Sequence, residues 1–485
     1  MTMDTMKPFT NQRRTRVLAT AAITVALSAC TVGPDYQRPD VATPTAFKES
    51  QGWSVAVPAD DVPRGTWWKI YGDADLDALE DAAGNANQSI AQAEASYRAA
   101  STLVDQARAN YFPVISGSGA ATRSGGGRGN NIGSGVSNAS TTRQVTASAS
   151  WEIDLWGRVR RQVESQQASA DASASDLAGI RLSTQATLAS NYFQLRQIDT
   201  QKQLLDDTIA AYQRTLDVTR NRYAGGVSAR VDVAQAETQL KTTQVQFIDL
   251  GISRAQLEHA IALLVGTPAS DFSIPVRRWQ AFDEKRAPAV PLAGLPSQLL
   301  QRRPDIAGAE RRVASANAQI GVAKAAYFPS IGLSASGGFS SLSATDLFTV
   351  PNRFWSIGPA LAQTLFDGGL RRAQTAQAIA NYDANVAAYR HTVLTAFADV
   401  EDQLAALRIL EQEAAAEDDV LASARESLAL TLNQYKAGTV SYINVVTVQA
   451  TALSNERNAV SIFGSRMIAS VSLVRTLGGS WDAAR

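Results

Sequence analysis

The residue types that usually carry out chemistry in proteins are scarce in this chain. Its 485 residues include two histidines, His259 and His391, and a single cysteine, Cys30. A zinc site needs several Cys or His ligands and a disulfide needs two cysteines, so this composition comes close to excluding both. No nucleophile, base and orienting group cluster along the sequence, and no cofactor motif is present. The sequence therefore predicts no enzyme, no metal site and no bound cofactor.

The sequence that precedes Cys30 indicates a chemical modification of this cysteine. Basic residues at positions 7–16 precede an apolar run over 17–27, which has signal-peptide length and is too short to span a bilayer. The run ends in the letters LSAC, which look like a bacterial lipobox. We expect residues 1–29 to be removed as a signal peptide and Cys30 to carry a covalent lipid. The alternative is an ordinary signal peptide that ends near a cysteine by chance.

The charge balance argues against nucleic acid as a partner. The chain has 45 basic and 45 acidic residues and is 45% hydrophobic. Binding DNA or RNA requires a basic stripe, and none is visible along the sequence.

A short glycine-containing stretch occurs twice. Residues 222–233 read RYAGGVSARVDV, and 212 residues later 434–445 read QYKAGTVSYINV. Each stretch separates two long helical patterns, which is typical of a helical hairpin. We therefore predict two similar halves, 73–268 and 304–479, each with a hairpin tip. An extended arm (30–72), a linker (269–303) and a tail (480–485) complete the predicted domains.

The helices that lead into both tips are unusually long. Residues 157–223 and 369–435 each form a nearly uninterrupted helical pattern, and each helix could reach roughly 100 Å. Asp154 and Asp367 precede them, and we expect their carboxylates to bind backbone amides. The first return helix carries two heptad stripes, which predict two neighbours, as in a closed ring of helices. The stripes are Val231, Ala234, Thr238, Val245, Ile248, Ile252 and Ala255, and Val233, Leu240, Phe247, Leu250, Leu257 and Leu264.

Strands are predicted after each of two Tyr-Phe-Pro sequences, where Pro113 and Pro329 must end a helix. Apolar and polar residues alternate over about 143–153, 330–340 and 353–363, and more weakly over about 114–122. One apolar face and one small polar face are typical of a membrane barrel with a wet lumen. Four strands cannot close such a barrel, so several copies must pool their strands, and a trimer would supply twelve.

With these pieces in place, the chain resembles the TolC-like outer-membrane efflux channels, most closely their NodT-type lipoprotein branch. The resemblance covers Cys30 to Gly479. Its most specific features are the lipobox followed by Gly33-Pro34-Asp35-Tyr36, the pair Trp67-Trp68, both Tyr-Phe-Pro helix ends, Arg303-Pro304-Asp305-Ile306 and the two glycine hairpins.

The resemblance implies a mainly helical fold with a membrane β-barrel, built from two tandem structural repeats per chain. In a homotrimer, four strands per chain would form a twelve-stranded outer-membrane β-barrel, continued by a long periplasmic α-helical barrel. It implies a lipid-anchored protein in the outer membrane of a Gram-negative bacterium. Its partners would be outer-membrane lipid, a periplasmic adaptor protein and an inner-membrane pump, usually of the resistance-nodulation-division class. The implied function is a passive exit duct for small toxic compounds or drugs, gated at its periplasmic tip.

The resemblance also implies site residues at the tips. The adaptor-contacting positions correspond to Gly225, Gly226, Val227, Ala437, Gly438 and Thr439. Asp232 and Tyr435 match positions that latch the gate. Asn444 and Thr447 stand where some members have aspartates, so an acidic ring built from these positions is absent here, although both residues are expected at the gate.

Two alternatives remain open from the sequence. The same type of duct would serve protein secretion or heavy-metal export, since the channel geometry would be alike. A structural envelope lipoprotein with helical stalks and no pore belongs to a different class, and the strand pattern over 143–153 argues against it.

Overall fold

The computed structural model describes residues 31–49, 65–125, 139–283 and 302–479. They form two compact units, the first made of the described residues within 1–40, 97–173 and 309–389, and the second of those within 41–96, 174–308 and 390–485. The helices are α1 Ala74–Ala86, α2 Gln88–Ala109, α3 Arg158–Ala224, α4 Arg230–Leu264, α5 Gln280–Asp283, α6 Pro304–Ala325, α7 Leu370–Ala437 and α8 Tyr442–Thr476. The strands are β1 Val114–Ser124, β2 Ser140–Ile153, β3 Ser330–Ser341 and β4 Arg353–Ala362.

The first unit contains one antiparallel sheet in the order β1-β2-β3-β4. All four strands lie where the period-two pattern predicts strands, and β2 begins three residues earlier than expected. The edge strands β1 and β4 each have one neighbour within the described chain. The sheet is therefore open on both sides.

The two faces of the sheet differ in chemistry, as the register shows. One cross-strand row consists of hydroxyl groups, and the adjacent row on the opposite face is apolar. The hydroxyl row is Ser116, Ser148, Ser336 and Ser356, and the apolar row is Ile115, Ala149, Ala335 and Ile357. Two serine pairs bond directly, with Oγ–Oγ distances of 2.9 Å between β1 and β2 and 2.8 Å between β3 and β4.

Carboxylates make the transitions from strand to long helix. Asp154 accepts the N–H groups of Val159 and Arg160 at 3.0 and 2.9 Å. Asp367 accepts those of Gly369 and Arg371 at 3.0 and 3.3 Å. These bonds satisfy free amides in the first turns of α3 and α7 and confirm the roles predicted for both aspartates.

The segment after residue 30 is tied to the helices of the first unit. Val32 N–H donates to the carbonyl of Trp156 at 3.1 Å, and Asp35 pairs with Arg161 at 2.7 Å. Gly33 has a φ of +109°, and a Cβ on it would stand 2.5 Å from the Cα of Gly321. Only glycine fits this close approach. Cys30 and the predicted signal segment lie outside the described residues, as do 284–301 of the linker and the tail 480–485.

The helical segment between residues 74 and 109 is interrupted at Asn87. Its side-chain oxygen accepts from Ser89 N and Ile90 N at 2.9 and 3.1 Å, and its amide donates to the carbonyl of Leu264 at 2.8 Å. Asn87 thus caps α2 while it bonds to the end of α4. Because this partner is remote in sequence, local periodicity did not reveal the break.

The second unit has an aromatic core. Tyr71, Phe193, Trp279 and Phe463 form successive ring contacts with centroids 4.9 to 5.9 Å apart. Asp73 caps α1 through Asp75 N and accepts the Tyr192 hydroxyl at 2.7 Å. No helix among the described residues combines the length and the apolar character needed to cross a bilayer.

A carboxylate is buried beside this core without a partner. Glu80 of α1 is 0% exposed, and neither of its carboxylate oxygens accepts a hydrogen bond within the described chain. Burial, with smaller contributions from the charges of Asp81 and Asp77, raises the pKa of Glu80 to about 9. The folded chain therefore holds this proton at neutral pH, whereas the unfolded chain releases it near the ordinary value of 4.5.

We expect Glu80→Gln to stabilise the protein increasingly as pH rises between about 5 and 9. In this window folding takes up a proton, so the wild type loses on the order of 1 kcal/mol of stability per pH unit, and glutamine removes this dependence. The measurement is the difference in Tm between variant and wild type across that range. Glu426→Gln, at an exposed position, is the control; a difference that stays constant with pH contradicts the prediction.

Candidate functional site

Both hairpin tips are built by the same backbone motif. After α3, Gly226 has a φ of +75° and its N–H donates to Tyr223 O at 3.0 Å, while Val227 N–H donates to Arg222 O at 2.9 Å. After α7, Gly438 has a φ of +80°, and the corresponding two bonds are both 3.0 Å long. This pair of bonds is the Schellman motif, which satisfies the last carbonyls of a helix and needs a residue with positive φ.

Asp232 lies in the first turn of α4, the return helix of the first hairpin. Its Oδ2 accepts the Ser228 hydroxyl at 2.9 Å and the Ala229 N–H at 3.2 Å. An acidic residue in the first turn is also favoured by the helix dipole. The Asp232 carboxylate therefore stabilises its own hairpin.

The two hairpins share a small buried core next to the tips. Tyr435 and Tyr442 are 3% and 2% exposed, and their rings make an edge contact with centroids 5.4 Å apart. Burial, with Tyr435 beside it, raises the pKa of the Tyr442 hydroxyl above its ordinary value, so this group stays protonated at physiological pH. The other buried members are Tyr212, Leu216, Val233, Ala236, Leu240 and Val445.

Arg222 connects the end of the first long helix to the end of the second. Its Nη1 donates to the carbonyls of Tyr435 and Lys436 at 3.1 and 3.2 Å, and its guanidinium lies 4.9 Å from the Tyr435 ring centroid. Thr219, one turn earlier on α3, bonds the Tyr435 hydroxyl at 3.2 Å. A cation at the C-terminal end of α7 is also stabilised by the helix dipole, so this bridge combines several favourable interactions.

The structure brings together only some of the residues predicted for the gate. Tyr435 contacts the first hairpin, whereas Asp232 accepts hydrogen bonds from Ser228 and Ala229 of its own hairpin. Asn444 and Thr447 are exposed, and the Thr447 hydroxyl donates to Ile443 O in its own helix. A role for these four residues in gating stays a prediction.

The predicted adaptor-contacting residues all lie at the ends of the hairpins and are exposed. They are Gly225, Gly226 and Val227 of the first tip, and Ala437, Gly438 and Thr439 of the second. Val227, the one large apolar side chain among these six, is 69% exposed.

Sequence reasoning missed Arg222 and Thr219. A signal was present, because Arg222 stands in the last turn of α3, where a cation can reach a neighbouring helix C-terminus. The second repeat has Gln434 at the corresponding position. The repeats therefore differ at the residue that makes the bridge.

Comparison with known proteins gives one consistent result. A sequence model of the family described as outer membrane efflux protein matches residues 79–267 and 295–479. The chain is 30% identical over 474 residues to the probable efflux pump outer membrane protein TtgC of Pseudomonas putida, covering 96% of each. It is 27% identical over 469 residues to the cation efflux system protein CusC of Escherichia coli O6:H1, covering 95% of this chain and 98% of CusC. The solved outer-membrane channel OprN superposes with a TM-score of 0.84 at 28% identity, over 93% of this chain and all of OprN.

We expect Gly226→Ala to destabilise the first tip by about 1 kcal/mol, because an L-residue pays this much to adopt positive φ. No described heavy atom lies within 4 Å of the position its Cβ would take, so the cost would come from the backbone alone. Gly225→Ala is the matched control, since its φ is not positive and its Cβ would make ordinary contacts at 3.5 Å and beyond. Faster amide hydrogen exchange confined to the tip in the first variant is the expected readout, and equal behaviour of both variants argues against it.

Proposed function

Because this chain belongs to the outer membrane efflux protein family, we propose that it is the exit channel of a tripartite efflux system. Members of this family are efflux channels of the Gram-negative outer membrane, and this chain is one of them. In the proposed system, an inner-membrane pump and a periplasmic adaptor deliver small toxic compounds, which the channel conducts passively across the outer membrane. The chain carries out no chemical step, and the energy comes from the pump, for which the resistance-nodulation-division class is our proposal.

The sheet is the observation that carries this proposal. Its hydroxyl row suits a water-filled lumen and its apolar row suits lipid. The edge strands β1 and β4 would leave unpaired backbone N–H and C=O groups facing hydrocarbon. Each such group costs several kcal/mol of free energy in the bilayer core. Membrane barrels need at least about eight strands, so copies of this chain must join edge to edge. We propose a homotrimer with twelve strands.

The first return helix supports the same assembly. The heptad stripe through Val231, Val245, Ile248 and Ile252 remains 57% to 70% exposed in the single chain. The other predicted stripe includes Val233 and Leu240, which are buried. One stripe thus packs within the chain, and an adjacent copy in a ring of helices is the partner we propose for the other.

The tips are the proposed site of control. We propose that the six exposed tip residues contact the adaptor and that Tyr435, held by Thr219 and Arg222, keeps the hairpins together until the adaptor acts. Asp232, Asn444 and Thr447 are proposed to line this gate. We also propose that a lipid on Cys30 anchors the chain to the membrane.

Two substrate classes remain as proposals. The similarity, at 30% identity, to proteins of Pseudomonas putida named as toluene and antibiotic efflux pump outer membrane proteins favours organic toxic compounds. The similarity to CusC, named as a cation efflux protein, favours metal ions as the second candidate. Among the residues that the structure describes, no group of His, Cys, Asp or Glu is placed to hold a metal ion.

We expect a strain that lacks this protein to become more sensitive to several unrelated amphiphilic antibiotics, dyes and detergents, and the gene in trans to restore resistance. The physical reason is that the pump has no path through the outer membrane without its exit channel. Minimum inhibitory concentrations across these compounds and divalent metals are the measurement. Sensitivity to metals alone would favour the second candidate, and unchanged sensitivity to every compound would contradict the proposed function.

We expect Arg222→Ala to increase the fraction of open channels in planar bilayers without adaptor. The variant loses two hydrogen bonds between the hairpins, each worth about 1 kcal/mol, so the ratio of open to closed channels should rise by roughly 30-fold. Arg220→Ala is the matched control, because Arg220 pairs with Glu237 inside the first hairpin at 2.7 Å. If both variants gate alike, Arg222 does not hold the gate.

A further inference from the structure

The two repeats carry similar residues near their tips, but only one of the two sets is covered by contacts within the chain. Within one chain, Thr219 and Arg222 of α3 meet Tyr435 and Gly438 of α7 at the tips. We name these four residues the in-chain seam. Arg222 covers the glycine, since its Nη2 is 3.6 Å from the position that a Cβ on Gly438 would take.

Each residue of the in-chain seam has a counterpart in the other repeat. The offset of 212 residues relates the two tip stretches. Adding 212 to the numbers of Thr219 and Arg222 gives their counterparts in α7. Subtracting 212 from the numbers of Tyr435 and Gly438 gives their counterparts at the first tip. The counterparts are Thr431, Gln434, Tyr223 and Gly226. Three of the four chemical types are kept, and the arginine is replaced by glutamine.

The counterparts lack the cover that the in-chain seam has. Tyr223 is 45% exposed, whereas Tyr435 is 3% exposed. Gly226 has open space where Gly438 has Arg222. Gln434 is exposed, and Val420 and Ile409, further back along α7, are 47% and 52% exposed. Tyr223 and Gly226 thus have the same residue types as Tyr435 and Gly438 of the in-chain seam. In the single chain they lack the contacts that cover Tyr435 and Gly438.

We propose that a second copy of this chain completes these contacts, with Tyr223 of one copy bonding Thr431 of the next and lying beside its Gln434. This between-copy seam rests on the proposed homotrimer, in which the hairpins of successive copies alternate around a ring. A repeat that packs on one side within the chain must pack on its other side against the next chain. The observed in-chain seam is therefore the template for the between-copy seam.

The two seams differ in strength. Arg222 brings a positive charge to the C-terminal end of α7, where the helix dipole is negative. Gln434 brings a neutral amide to the corresponding end of α3, so the between-copy seam lacks this charge–dipole attraction. The between-copy seam is the weaker of the two and separates first when the gate opens.

Pairwise cross-linking tests the contact. Tyr223→Cys combined with Thr431→Cys should give covalent dimers and trimers when a short bifunctional methanethiosulfonate is added to the purified trimer. Tyr435→Cys combined with Thr219→Cys is the reference pair and should cross-link inside one chain, without a change of oligomer mass on a denaturing gel. Cys30 is the only native cysteine. Each single-cysteine variant controls for random collision.

The results separate the inference from the proposed function. Trimers that conduct but whose Tyr223–Thr431 pair fails to cross-link, while the reference pair does, overturn the between-copy seam alone. A wild-type protein that neither forms trimers nor conducts overturns the proposed function and this inference with it.

A second variant tests the order of separation without cross-linking. Gln434→Arg supplies the missing charge and should lower the open probability of single channels severalfold. Arg222→Gln gives the in-chain seam the same neutral side chain as the between-copy seam and should raise the open probability. If Gln434→Arg leaves the open probability unchanged in a trimer that conducts, the between-copy seam does not limit opening.

Discussion

Lipid offers no hydrogen bonds, and this constraint explains most of the architecture. A four-stranded sheet with a polar row, an apolar row and two open edges cannot exist alone in hydrocarbon. The chain therefore has to be a fraction of a larger barrel, and both of its repeats contribute a hairpin of strands to it. Long helices follow each strand pair directly, with Asp154 and Asp367 binding the first free amides. The same closure that pairs the strands would then place the helices of successive copies side by side.

Much of this fold could be predicted because it depends on local patterns. Alternation of apolar and small polar residues indicated the strands, and the glycines at 226 and 438 indicated where the long helices end. The predicted fold class, mainly helical with a small membrane sheet and two tandem repeats, is confirmed by the structure and by the solved channels it resembles. Periodicity succeeds here because each strand or helix has one dominant environment along its length.

Other features could not be predicted because they depend on partners remote in sequence. Asn87 breaks a helix since its amide reaches Leu264, and Glu80 is buried by residues that local alternation does not reveal. The gate role of Asp232 stays a prediction, since the structure shows this carboxylate accepting N–H and hydroxyl donors of its own hairpin. Arg222 was missed because the carbonyls that it binds, those of Tyr435 and Lys436, are remote in sequence.

The unequal tyrosines Tyr435 and Tyr223 have a consequence for how such a protein can evolve. A ring of six identical hairpins would have one kind of contact, so every mutation would change all six contacts together. In a chain with two repeats, Arg222 and Gln434 are encoded separately, and selection can adjust one set of three contacts while it leaves the other unchanged. Gene duplication thereby allows the strength of the assembly and the ease of its opening to vary independently.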